Sequence, residues 1–405
     1  MKILVPLFSP STGTWGGLTR VIAITEAAKE RGHEVAFCAS GYLEQTLRRR
    51  GFRVFSTPPS TFLGLPATIS KRIEKRSQTT TLPVRPGKSI GSIWLVLMIS
   101  GMARGEYLRK VVDAEKSAVD QFEPDILFTD LDPGAFLLAR LTGLPIASAF
   151  QSAMKHGKNT FAWKRMNTAV NHVLKKNGLA EVSVERLFFG EQTLKIIPSI
   201  PELEDEDSHR SDLLYVGQLL GGIKANTAKD FVPEPGKRYI FVYMGTGSVS
   251  LDQIHEVLPR CLPEDGALRA IVGAQSLTEV ERVGAVEFRP YVSAQALLPY
   301  CDWTLCHGGQ NTIIQSLIHG VPLIIFPGPI FERRFNAQRV QQLGAGMMGE
   351  VDQFRPDWIH SVFTERESMA VQAQKLGSSI QSYGGAKAAI LAMENMVKAM
   401  KPANK

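Results

Sequence analysis

Short apolar runs alternate with longer stretches in which apolar residues recur every three or four positions. That beat predicts strands and helices in turn. The run at residues 2–8 reads as a buried strand. A loop rich in Gly, Ser and Thr (9–16) leads into an apolar-striped helix over 18–31, closed by Gly32 as its C-terminal cap. A strand over 33–38, a helix over 41–50 and a strand over 52–55 continue the pattern. It resumes with strands at 124–130 and 145–150 on either side of a helix over 133–142. Strands and helices in this alternation predict an α/β fold with a parallel, doubly wound sheet.

Between 56 and 121 the rhythm breaks into basic residues, prolines and a mixed apolar segment. Long insertions on a regular scaffold carry specificity. Trp94, Leu97, Met98 and Met102 therefore read either as the lining of an apolar pocket or as one face of a core helix. Residues 198–211 hold prolines and a run of acids and read as a linker. A second beat follows: a strand over 238–243, a loop at 245–248, a helix over 251–262, and strands at 268–272, 285–288, 303–305 and 322–326. Residues 356–397 read as helical. The expected organisation is a first Rossmann-like half over 1–205, a second over 206–380, and a tail, 381–405, whose helix folds back onto the first half.

Composition narrows the classes. A chain of 405 residues is long enough for two cores, and 44% hydrophobic with 21% charged residues excludes disordered and collagen-like chains. The net charge of +7 suits an enzyme that holds an anionic ligand, or a peripheral contact with an acidic membrane face. No basic block alternates with aromatics, so nucleic acid is not an expected partner. Cys38, Cys261, Cys301 and Cys306 form no CxxC pair and read as buried, reduced thiols of a cytoplasmic protein. Residues 1–8 read as a strand rather than a signal peptide, and the apolar run at 93–98 is too short to span a membrane. A homodimer stays open.

The most informative stretch is Cys306-His307-Gly308-Gly309-Gln310-Asn311-Thr312, followed by Gly320-Val321-Pro322 and by Pro327 through Asn336. It reads as strand, glycine turn and helix opening. Such a turn leaves backbone N–H groups facing outward at a helix N-terminus, an anion site suited to a diphosphate. His307, at the strand end, is placed to donate to a phosphate oxygen.

The whole string HGGQNTIIQSLIHGVPLIIFPGPIFERRFN resembles the nucleotide-sugar signature of family 1 glycosyltransferases, the group of the antibiotic glycosyltransferases and UDP-glucuronosyltransferases. The resemblance implies the GT-B architecture, two Rossmann-like domains facing across a cleft. It also implies inverting, metal-independent transfer of a sugar from a UDP- or dTDP-sugar to a hydroxyl of a small apolar acceptor, a natural product or a lipid. No cofactor is implied beyond the nucleotide sugar as co-substrate.

Carried over by position, His307 meets the diphosphate, Gly308 and Gly309 let the backbone approach, and Gln310, Asn311 and Thr312 line the helix start. Gln315 stands where the family's glutamate holds the ribose. Tyr291 and Val292 frame the nucleobase. Gly245 and Thr246 resemble the glycine–hydroxyl turn near the phosphates, and Thr14 the hydroxyl that donates to them. Glu332 keeps the acid that meets the sugar hydroxyls, but Arg333 replaces a glutamine. Arginine binds carboxylates bidentately, which points to a uronic acid donor unless the side chain pairs with a neighbouring acid or turns to solvent.

The family's catalytic histidine, at the start of the first helix, falls on Gly17, which has no side chain. Its orienting aspartate falls on Asp130, the candidate base, with Asp132 a weaker candidate on the same face if the strand continues. Asp130 could equally cap the helix near Pro133. Three readings follow: Asp130 acts directly or through a water, the acceptor is acidic already, or catalysis is lost. In the last case the protein is a nucleotide-sugar-binding partner that activates another enzyme. A nucleotide-sugar epimerase of the same shape is a further alternative.

Overall fold

The computed structural model describes residues 1–8, 15–65, 69–70, 91–206, 210–221, 231–245 and 249–400. Among these residues the strands form two seven-stranded sheets, ordered β3-β2-β1-β4-β5-β6-β7 and β10-β11-β9-β8-β12-β13-β14. The first holds β1 (Lys2–Pro6), β2 (Glu34–Ala39), β3 (Arg53–Ser56), β4 (Ile126–Thr129), β5 (Ile146–Ala149), β6 (Thr193–Ile197) and β7 (Leu213–Tyr215). The second holds β8 (Arg238–Tyr243), β9 (Leu268–Gly273), β10 (Glu281–Val283), β11 (Val286–Arg289), β12 (Cys301–Cys306), β13 (Leu323–Ile325) and β14 (Gly346–Met348). All pairings are parallel except the edge pair β10–β11. The α/β, doubly wound expectation therefore holds for both halves.

Helices cover the sheets: α1 (Trp15–Glu30), α2 (Gly41–Arg49), α3 (Ile93–Ile99), α4 (Gly105–Phe122), α5 (Pro133–Thr142), α6 (Phe161–Lys176) and α7 (Val184–Phe189) in the first half. The second half carries α8 (Leu251–Cys261), α9 (Ala294–Leu297), α10 (Gln310–Ile318), α11 (Phe331–Gln342), α12 (Pro356–Phe363), α13 (Arg366–Ser382) and, at the end, α14 (Gly385–Met400). Parallel strands covered on both faces are nearly all buried, which is why they read as unbroken apolar runs.

Two expectations need correction. The first sheet does not end at residue 205, because β7 pairs with β6 beyond it, Lys195 with Leu213 through Ile197 with Tyr215. The acids and prolines that read as a linker precede a last edge strand rather than the crossing to the second half. And α3 is a core helix. Trp94 is 1% exposed and packs on Phe188 and Phe189 at 5.7 and 5.9 Å, Met102 is buried in the same cluster, and Met98 is partly buried against it. Of the two readings open for this face, core helix holds for Trp94, which α7 covers.

Helix α14 packs on α1: Ala389, Ile390, Met393 and Val397 share one apolar cluster with Val21, Ile22 and Ile24. Glu394 accepts from Arg31 at 2.8 and 2.9 Å and meets His33 at 2.7 Å. The return to the first half runs past the end of its sheet: Gly385 N donates to Val216 O at 2.9 Å, and Gly217, at φ +68°, lies directly against the Ile380 carbonyl. The four cysteines are free and buried. No helix among the described residues is long and apolar enough to cross a membrane.

Candidate active site in the interdomain cleft

In each sheet the strand order reverses once, at β1/β4 and at β8/β12. Open α/β sheets bind ligands beyond the carboxyl ends of the strands at such a switch point. The sequence-derived candidates gather there. Gly245 follows β8 and His307 follows β12, while Gly17 follows β1 and Asp130 follows β4.

On the β8/β12 side the His307 ring lies between two glycines. A Cβ on Gly245 would come 3.1 Å from Cε1, and one on Gly309 would come 2.8 Å from Nε2. Gly245 and Gly308 both have positive φ, +57° and +87°, and a Cβ on Gly308 would meet the Arg333 carbonyl at 2.8 Å. Only glycine suits these positions. Asn336 Nδ2 donates to Gly308 O at 2.9 Å and fixes the turn from α11. Helix α10 begins after Gly309 with no side-chain cap, so its first amides remain for a ligand.

His307 is 9% exposed. Its Nδ1 lies 3.2 Å from the Tyr243 carbonyl, which can only accept, so Nδ1 carries the proton and the neutral ring presents a bare Nε2. Burial pushes the imidazole down to about 4; the nearby Arg333 cation adds to this and the Tyr243 bond opposes it. Arg333 is half-buried and sits among His307, Tyr243 and Glu332 rather than in solvent.

The other candidates divide. Asn311 and Thr312 stand at the start of α10, and Gln315 is half-buried with Nε2 donating to the Asn311 carbonyl at 3.2 Å. Tyr291 is 55% exposed, with an open ring face. Val292 packs against Gly273. The Gln310 side chain turns away from the turn, into the seam between the halves, where Nε2 donates to Glu204 at 3.3 Å. Only its backbone is left to face a ligand, a correction to its expected role. Glu204 also accepts from Ser152 N and Oγ at 2.8 and 2.7 Å. His156 stacks on Phe331 at 3.4 Å across the same seam. Thr14 and Thr246 lie outside the described residues.

On the β1/β4 side, Arg20 of α1 donates from Nη2 to Asp130 Oδ2 at 3.0 Å and Oδ1 at 3.2 Å. A Cβ on Gly17 would fall 2.5 Å from Asp130 Oδ2. Glu332 belongs to the same cluster. Burial raises its carboxyl, the Arg20 and Arg333 cations and a hydrogen bond with Asn336 pull it back, and the Asp130 charge pushes it up. The cleft therefore holds Asp130, Arg20 and Glu332 within mutual electrostatic reach.

Asp132 is not beside Asp130. β4 stops at Thr129, Leu131 takes a left-handed conformation (φ 69°), and Asp132 becomes the N-cap of α5, Oδ1 accepting from Gly134 N at 2.7 Å. Burial raises it to about 6 against the pull of the Gly134 and Ala135 amides. It looks inward at Glu115, whose carboxyl burial pushes up and the Asp132 charge pushes up further. Capping belongs to Asp132, and Asp130 alone faces the cleft.

Residues 264–383 match the family model of the Erythromycin biosynthesis protein CIII-like C-terminal domain. Over 129 residues, 31% of its length, the chain is 33% identical to the 3-alpha-mycarosylerythronolide B desosaminyl transferase of Saccharopolyspora erythraea. That segment, under a third of the chain, is similar to the C-terminal domain of antibiotic glycosyltransferases, and the chain as a whole has the GT-B fold. To the PGL/p-HBAD biosynthesis rhamnosyltransferase of Mycobacterium bovis this GT-B chain is 24% identical over 272 residues, 60% of its length. The matched segments span 30% and 60% of those relatives' own lengths. The calicheamicin glycosyltransferase CalG4 superposes on the GT-B chain with a TM-score of 0.74 at 17% identity, over 99% of both chains. The spinosyn rhamnosyltransferase SpnG, solved with thymidine diphosphate, does so with 0.68 at 19% identity, over 97% of this chain and all of that one (100%). At these identities the structural likeness carries the GT-B fold alone.

Arg20, Glu115, Glu204 and Asn336 were absent from the site residues picked out of the sequence. Arg20 left one signal, a cation three residues after Gly17 on the apolar-striped helix.

Proposed function

We propose that the protein is an inverting glycosyltransferase that moves a sugar from a UDP- or dTDP-sugar to a hydroxyl of a small apolar acceptor, a natural product or a lipid, in the cytoplasm. The observation that carries this is the His307 ring packed between Gly245 and Gly309 at the uncapped start of α10, with Arg333 beside it. This arrangement collects positive potential without any competing carboxylate on the turn, and suits a pyrophosphate. The relatives support the donor class, being sugar transferases by name, and one structural neighbour was solved with thymidine diphosphate.

Chemistry follows from the two faces of the cleft. The acceptor hydroxyl attacks the anomeric carbon from the first half, and its proton passes to Asp130. The bond from that carbon to the phosphate oxygen breaks, and its electron pair leaves on the nucleoside diphosphate. Arg333, the α10 amides and His307, once its Nε2 has gained a proton, take up that charge, so we propose that neither a metal ion nor a further cofactor is needed. Glu332 is placed to hold sugar hydroxyls.

Isothermal titration with UDP and dTDP tests the donor site, with Kd at or below about 1 mM expected. Proton NMR of the product made from an α-linked donor tests inversion, with a β-glycoside expected. The second reading, a nucleotide-sugar-binding partner without turnover, draws on the missing side chain at Gly17. It predicts diphosphate binding with no transfer to any acceptor.

A further inference from the structure

The family's imidazole position is occupied here, though not by residue 17. The Asp130 carboxylate itself fills that space, since a Cβ on Gly17 would lie 2.5 Å from Oδ2. Asp130 is 5% and Arg20 12% exposed. Arg20 follows Gly17 by three residues, so both lie on one face of α1. The carboxylate also sits against the first turn of this helix, where a negative charge is favoured. Across the cleft stands a second acid, Glu332, which feels both Asp130 and Arg20. Arg20 Nε is buried and has no hydrogen-bond partner among the described residues, so this donor is not committed elsewhere.

We infer that Arg20 is a positioning residue: it clamps Asp130 in the space left by Gly17, so that a single carboxylate replaces the usual histidine–aspartate pair as proton acceptor. This rests on the glycosyl-transfer reading above. In the transfer step the acceptor O–H proton goes to a free lone pair of the Asp130 carboxylate as the acceptor oxygen bonds the anomeric carbon and the nucleoside diphosphate departs with the electron pair of the broken C–O bond. The guanidinium gives up no proton. Asp130 then releases the proton to solvent.

The test uses the full chain with UDP-glucose and dTDP-glucose as donors and two acceptors, 1-octanol, which needs a base, and 4-nitrophenol, which hardly does. Arg20→Gln lowers kcat for octanol about a hundredfold, the size of a general-base contribution. The loss with 4-nitrophenol is under about tenfold, donor KM stays within about twofold, and Arg20→Lys recovers much of the octanol rate. Gly17→Ala reproduces the same asymmetry by displacing the carboxylate, and serves if Arg20→Gln does not fold. UDP affinity, which depends on the other half of the chain, reports an intact donor site in each variant, and circular dichroism with thermal melts reports folding. Unchanged octanol turnover in Arg20→Gln, or equal losses for both acceptors with UDP affinity intact, overturns the clamp. A wild-type chain that binds neither diphosphate and forms no glycoside overturns the glycosyltransferase reading instead.

Discussion

Asp130 Oδ2 lies 2.5 Å from the point where a Cβ on Gly17 would sit, so any side chain at 17 requires the carboxylate to leave its present place. Gly17→His therefore does not restore a histidine–aspartate pair. It pushes Asp130 off Arg20, and kcat/KM falls by about a hundredfold, as expected for displacement of a reacting group by an ångström or so. Steady-state rates with both donors check this; a gain in activity would show that the carboxylate relocates without harm.

His307 can donate through Nε2 only after gaining a proton, because Nδ1 is committed to the Tyr243 carbonyl. Free of ligand the imidazole is held down at about 4, and a bound pyrophosphate favours its charged form. UDP binding should take up protons, and its affinity should rise as pH falls from 8 to 6. Calorimetry in buffers of different ionisation heat reads the uptake, and His307→Asn abolishes it. The same group sets a stability window. Its folded value lies below the unfolded 6.5, so its contribution is intact above 6.5 and is lost as pH falls from 6.5 through about 4.

Both carboxyl oxygens of Glu115 are buried without a hydrogen-bond partner among the described residues, next to Asp132. Its folded pKa is raised, so the stability it permits is fully present below the unfolded value of 4.5 and is lost as pH rises through the folded one. Glu115→Gln should raise Tm by a few degrees at pH 8, and by less at pH 4.5. Thermal melts at the two values decide; equal shifts would place the effect in packing rather than charge.

Arg333 stands between His307 and Glu332, close to where the diphosphate and the sugar of a donor would meet. Arg333→Gln should weaken UDP binding about tenfold, the loss of one charge-assisted contact. It should also lower turnover of UDP-glucuronate relative to UDP-glucose. An unchanged ratio with weaker UDP binding would assign Arg333 to the phosphates alone.

The sheets were legible because buried parallel strands leave unbroken apolar runs; the pattern at 238–243 marks β8 to the residue. β7 was not legible, since Leu213–Tyr215 is a half-buried edge strand behind a run of acids. The Gly308 turn could be read from spacing because its chemistry is local. The Arg20–Asp130 pair joins positions 110 residues apart, and only the fold brings them together. Which aspartate caps α5 depended on the backbone at Leu131, a leucine in a conformation that its identity does not announce. Trp94 was ambiguous because a core face and a pocket face carry the same residues, and the choice lay with Phe188 and Phe189 on a helix the pattern had not marked.

The start of α14 is joined to the end of the first sheet, Gly385 to Val216, and the Gln310–Glu204 contact lies along the same seam, since Leu203 shares an apolar cluster with Ile380. Any swing of one half against the other must part His156 from Phe331 and Gln310 from Glu204.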